Sequence, residues 1–144
     1  MQDRIPAPKK LNAPKVERRA FAVVRRRGRI LLVRNPARGL LAGLWSLPGG
    51  PAQRPLADVV LEQTGIAVRA TGLAAAARHQ FSHRTWEMAV QPAQVMREPG
   101  GGSAETVWIA VADLEGQALP SAMRTALAVA GVGKPKRRQG SGPS

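Results

Sequence analysis

Between Phe21 and Gly65 the chain changes from strand periodicity to helix periodicity at fixed punctuation, and few folds accept that order. Phe21-Ala22-Val23-Val24 and Arg29-Ile30-Leu31-Leu32-Val33 are apolar runs on either side of Arg25-Arg26-Arg27-Gly28, which predicts a β-hairpin. The cluster Asn35-Pro36-Ala37-Arg38-Gly39 ends the second strand. Leu44-Trp45-Ser46-Leu47 then reads as a short strand stopped by Pro48-Gly49-Gly50. Pro55 opens a helix over Leu56 to Gln63, with Leu56, Val59 and Val60 at helical spacing and Gly65 as its stop.

Further along, Ile66-Ala67-Val68 starts another extended stretch. Ala74 to Ala77 has helical propensity but is read as strand, because it follows an extended start and runs into a turn at Phe81. Trp86, Met88 and Val90 alternate as on a half-buried strand. Pro99 to Ser103 is a loop, Thr106 to Ile109 a strand, and Ser121 is predicted to cap a last helix, Ala122 to Ala130, closed by Gly131. Strands around short helices predict an α+β sandwich. A length of 144 residues fits one domain. That domain is expected over 18–133, between a basic, Pro-rich linker at 1–17 and a basic tail at 134–144.

With 22 Lys and Arg against 9 Asp and Glu, the net charge is +13. An excess of that size favours a phosphate-bearing partner, above all a nucleic acid. With no Cys, disulfides, Cys-type zinc sites and Cys-held iron–sulfur clusters are excluded. No apolar run is long enough to cross a bilayer as a helix and no signal-peptide core is present, so no membrane partner is expected. The expected location is the bacterial cytoplasm, on the nucleoid when bound to DNA.

The hairpin, the Leu44-Trp45-Ser46-Leu47-Pro48-Gly49-Gly50 strand and the helix ending in Gly65-Ile66 resemble the Nudix fold, an α/β/α sandwich with a mixed sheet and short helices. That family's box lines one helix face with carboxylates that bind a divalent metal and activate water against a diphosphate. Aligned on Gly65-Ile66, the box's Glu-Glu pair falls on Glu62-Gln63 and its Arg-Glu pair on Asp58-Val59, and the loop Pro51 to Arg54 holds no acid. On this resemblance no metal, no cofactor, no catalytic residue and no enzymatic activity of the chain's own are expected.

Further pieces are similar to the C-terminal domain of MutY-type adenine DNA glycosylases: Arg38 to Pro48, Phe81-Ser82-His83-Arg84-Thr85-Trp86, Leu119 to Arg124, and Ile5-Pro6 before a Lys-rich stretch. The resemblance implies a module that reads 8-oxoguanine opposite adenine in double-stranded DNA for a glycosylase catalytic domain, present in cis or in trans. The chain is then expected either as a piece of a longer glycosylase or as a separately encoded protein. The expected contacts are Phe81, Ser82, His83 and Arg84. Ser82 can accept from the N7–H that only the oxidised base carries. His83 is set to meet a phosphate or the base edge, and Phe81 to wedge beside the base or anchor the loop. Arg25, Arg26, Arg27 and Arg38 are the candidate phosphate contacts, with a solvated hairpin tip the plainer account of the first three. Trp45 and Trp86 are expected in the core. Two alternatives stand beside this reading: an active Nudix hydrolase of nucleoside diphosphate derivatives, and a protein-interaction domain on the same scaffold.

Overall fold

The computed structural model describes residues 15–39 and 41–132. The expected linker up to residue 14, residue 40 of the Arg38–Pro48 stretch, residue 133 and the tail lie outside the described residues. In chain order the elements are β1 (Lys15–Arg26), β2 (Arg29–Arg34), β3 (Trp45–Ser46), β4 (Gly49–Pro51), α1 (Leu56–Thr64), β5 (Ala67–Ala70), β6 (Ala75–Gln80), β7 (Arg84–Arg97), β8 (Thr106–Ala110), a single 3-10 segment (Val111–Gly116) and α2 (Ser121–Val129).

The sheet is mixed. β1 runs parallel to β7, from Lys15 opposite Arg84 to Arg25 opposite Gln94, while the remaining pairings are antiparallel. Its path is β3-β2-β1-β7-β5, with β4 on β1, β6 on β7 and β8 on β2. Strand alternation sends successive side chains to opposite faces. Phe21, Val23, Ile30, Leu32, Trp86, Met88 and Val90 form one core with Ala122, Met123, Ala126 and Leu127 of α2. Ala22, Val24, Leu31 and Ala93 form the other with Val60 and Leu56 of α1. The chain therefore forms the expected α+β sandwich, one helix on each face of a mixed sheet.

Local chemistry explains where the elements stop. The hairpin turns through Arg27 (φ 54°) and Gly28 (φ 75°), the left-handed pair that matches the twist of two flanking strands. α1 ends at Gly65, whose φ of 72° lets its N–H bond back to the Leu61 carbonyl at 2.8 Å. Pro92 sits inside β7, where a missing N–H would break a ladder. It falls where the antiparallel partner changes, between Val90, paired with β6, and Ala93, paired with β5.

Three local expectations need correction, and one element had none. β1 begins at Lys15, three residues inside the expected linker, because Lys15 to Glu17 pair with β7. Only Trp45–Ser46 of the Leu44–Leu47 stretch is strand. Ser121 does not cap α2: Pro120 holds the capping position and no side chain bonds to it, so Ser121 is the first helical residue. The turn over Val111–Gly116 had no periodic signal in the sequence.

Gly49 packs where no side chain fits, since a Cβ there would stand 2.1 Å from the Ala20 carbonyl oxygen and 2.8 Å from the Phe21 Cα. Both are backbone atoms of the central strand. Gly49→Ala is expected to destabilise the fold by about 2 kcal/mol or more through overpacking. Urea denaturation checks it, and a midpoint equal to that of the native chain would contradict the close approach.

Candidate functional site

The register of β1 against β7 builds a polar cluster at the edge of the α2-side core. Glu17 stands opposite Trp86, and Arg19 opposite Met88. The Glu17 carboxylate accepts from the Trp86 indole N–H at 3.1 Å with one oxygen, and from Arg84 Nη1 at 3.1 Å with the other. The Arg19 guanidinium lies 4.9 Å from the centroid of the Trp86 ring, in cation–π range. Burial holds the Arg19 guanidinium below its usual range, an effect that Glu17 opposes and Arg84 reinforces. An arginine stays charged through such a shift.

A pocket of about 220 Å³ opens beside this cluster. Its wall takes Arg19, Phe21, Arg84 and Trp86 from the central strands, Asn35 and Ser46 from around β2 and β3, Gln63 from α1 and Met123 from α2. The backbone N–H of Leu47 donates to the Met123 sulfur at 3.3 Å and ties the β3 end to α2. Ser46, 3% exposed, donates its hydroxyl to Asn35 Oδ1 at 3.2 Å. Two donors in the wall, Arg19 Nε and Asn35 Nδ2, are buried with no acceptor among the described residues. Donors in a pocket wall bond to water or to a ligand's acceptors, so acceptors on a ligand would find partners here.

The residues singled out in the sequence do not share one place. Ser82 and His83 are the exposed tip of a two-residue turn between β6 and β7, closed by the Phe81 N–H donating to the Arg84 carbonyl at 2.7 Å. The His83 carbonyl accepts from the Lys15 N–H at 3.2 Å, fixing this tip at the start of β1. Phe81 is half-buried, edge-on to Trp86 at 5.0 Å and to His79 at 4.7 Å. Arg84 is paired with Glu17. Arg25, Arg26 and Arg27 lie at the far end of β1, roughly 36 Å away at strand rise. Arg26 is ion-paired with Glu98 and stacked 4.3 Å over Trp108, while Arg38 is exposed in the loop after β2. Trp86 is core, 5% exposed, and Trp45 is half-buried beneath Arg34. Sequence reading passed over Glu17, Arg19, Asn35 and Ser46. No periodic signal along β1 pointed to them, since Glu17-Arg18-Arg19 precede the apolar run without alternation.

The box positions of α1 are occupied differently from a metal site. Val59 is buried, Glu62 is ion-paired with Arg54, and the Gln63 amide is bonded to the Gly49 backbone. Among the described residues no three His, Cys, Asp or Glu side chains stand together to hold a metal ion. The family's divalent metal does not fit this donor set.

Comparison with known proteins places this geometry. The sequence pattern of the NUDIX domain matches residues 19–129. The MutT NUDIX hydrolase from Burkholderia pseudomallei superimposes with a TM-score of 0.68 at 30% identity, over 80% of this chain and 98% of that one. An ADP-ribose pyrophosphatase from Streptococcus suis (TM-score 0.59, 21% identity, 79% and 87% covered) shares the fold. So does the C-terminal domain of mouse MUTYH, solved in complex with human PCNA (TM-score 0.60, 21% identity, 80% and 87% covered). The expectation of a domain without enzymatic activity of its own is overturned by these relatives. It rested on a few positions of one helix, whereas the likeness to a hydrolase runs the length of the folded chain. No helix among the described residues is long and apolar enough to cross a membrane.

Glu17 holds two β7 side chains at once. Glu17→Ala should cost about 1–2 kcal/mol, chiefly by stranding the Trp86 indole N–H, since the half-exposed Arg84 pair adds little. Urea unfolding followed by Trp fluorescence checks it, and unchanged stability would show that the carboxylate is not the indole's acceptor.

Proposed function

This chain belongs to the NUDIX domain family, and we propose that it is a hydrolase-type member acting on a nucleoside diphosphate derivative, whose base enters the pocket beside Trp86. The observation that carries this reading is the pair of unpartnered donors, Arg19 Nε and Asn35 Nδ2, in a pocket wall that also holds aromatic surface. A nucleobase offers ring nitrogens and carbonyl oxygens as acceptors and a flat face for the aromatic side. The 30% identity to a MutT NUDIX hydrolase supports hydrolysis as the chemistry. The chain's own residues would bind and orient. Arg84, in the pocket wall, would meet phosphate oxygens, and Arg19 and Asn35 would fix the base.

The test is turnover of a panel of nucleoside di- and triphosphates and their sugar esters by the full chain, with and without divalent cation. Turnover of one class is expected. Asn35→Ala should raise KM about tenfold for one hydrogen bond lost to the bound base. No turnover of any member would overturn the hydrolase reading.

A second reading, recognition of 8-oxoguanine opposite adenine in DNA for a glycosylase domain in cis or in trans, is favoured by the net charge of +13 and by the exposed Ser82-His83 tip. Ser82 would accept from the lesion's N7–H while phosphates meet the basic surface. Duplex binding should then weaken steeply with salt through counterion release. Ser82→Ala should cut the preference for 8-oxoguanine over guanine about 5- to 30-fold, one neutral hydrogen bond, with general affinity nearly unchanged. Titration of labelled duplexes at several salt concentrations decides. Salt-independent affinity, or a preference that survives Ser82→Ala with His83→Ala, would remove this reading.

A further inference from the structure

We infer that α1 of this chain works without a divalent cation, because internal hydrogen bonds close the two places where the helix could hold one. Gln63 uses its amide twice on one residue: Nε2 donates to the Gly49 carbonyl at 3.0 Å, and Oε1 accepts from the Gly49 N–H at 3.0 Å. A glutamate at this position could still accept from that N–H. Its second oxygen would then face the Gly49 carbonyl, acceptor against acceptor. A hard cation between the two oxygens would resolve that conflict, whereas the glutamine resolves it with its own N–H.

Glu62, the carboxylate that remains, is gripped by both terminal nitrogens of Arg54, with Nη1 at 2.9 Å. The bidentate guanidinium occupies both carboxylate oxygens and neutralises their charge. Val59, at the remaining box position, is buried and contributes no oxygen. A metal would have to displace Arg54, and would then find Glu62 with Asp58 one helical turn before it, where magnesium needs a larger set of oxygens. On the hydrolase reading, ligand phosphates approaching this helix meet a guanidinium instead of an ion. That clause rests on the proposed function; the absence of a cation site rests on the donors alone.

The experiment is a titration of the full chain with Mn²⁺, read by water-proton relaxation, together with melting temperatures in Mg²⁺ and in EDTA. Native protein is expected to show no saturable Mn²⁺ site that depends on Glu62, and the same melting temperature in both buffers. Arg54→Ala combined with Gln63→Glu is expected to gain saturable Mn²⁺ binding and a melting temperature that rises with Mg²⁺. Saturable binding by the native chain that Glu62→Gln abolishes would overturn the inference, and so would a folded double variant that ignores Mn²⁺. If the double variant does not fold, the native and Glu62→Gln titrations decide. Neither readout depends on turnover, so failure of the hydrolase reading leaves this test intact.

Discussion

The parallel pairing of β1 with β7 is the constraint on which the other features rest. It joins the first strand of the described chain to one more than sixty positions later, so no local signal sets its register. Once Lys15 stands opposite Arg84, Glu17 must stand opposite Trp86 and Phe21 opposite Val90. A slip of one residue would turn Glu17 and Arg19 to the α1 side and drive Ala22 and Val24 into the α2-side core. The apolar alternation of both strands resists that slip. Burying Trp86 alone removes about 200 Å² from water, roughly 5 kcal/mol, several times the value of any exposed ion pair in the molecule. Packing therefore fixes the register, and the polar cluster inherits its geometry.

What the cluster inherits is a division of labour between the two sheet faces. On the α2 side the core gives way at one edge to Glu17 and Arg19 of β1, Ser46 of β3 and Asn35 just past β2, beside the Leu47–Met123 contact. On the α1 side the helix is tied to β4 by the Gln63–Gly49 bonds, and Gly49 can approach β1 so closely only because it has no side chain. The pocket and the helix thus meet at Gln63, which lines the one and locks the other.

Much of the architecture was legible along the chain. The hairpin, α1 and its glycine stop, the alternation of Trp86, Met88 and Val90, and the strand reading of the alanine-rich segment all appear in the structure. Each depends on contacts or torsions within a few residues. Gly28 and Gly65 take positive φ, and a two-residue period needs no partner to be seen. The exposed Ser82-His83 tip was legible in the same way, as a short polar turn between apolar strands.

The sequence by itself determined the family, the kinds of element and which side chains point inward, because these follow from periodicity and from glycine and proline torsions. It did not determine where function could sit. Glu17 was assigned to a linker, since it ends a Lys- and Pro-rich stretch with little apolar periodicity and looks like a tail until a distant strand pairs with it. Arg19 and Asn35 carried no motif at all. Only the folded sheet put their nitrogens in one wall, without acceptors, beside an aromatic ring. The hairpin arginines and the Ser82-His83 turn were both candidate DNA contacts in sequence, and a strand twelve residues long set them at its opposite ends. Chain order records neighbours along one strand; the pairing of strands far apart in sequence decides which of them share a site.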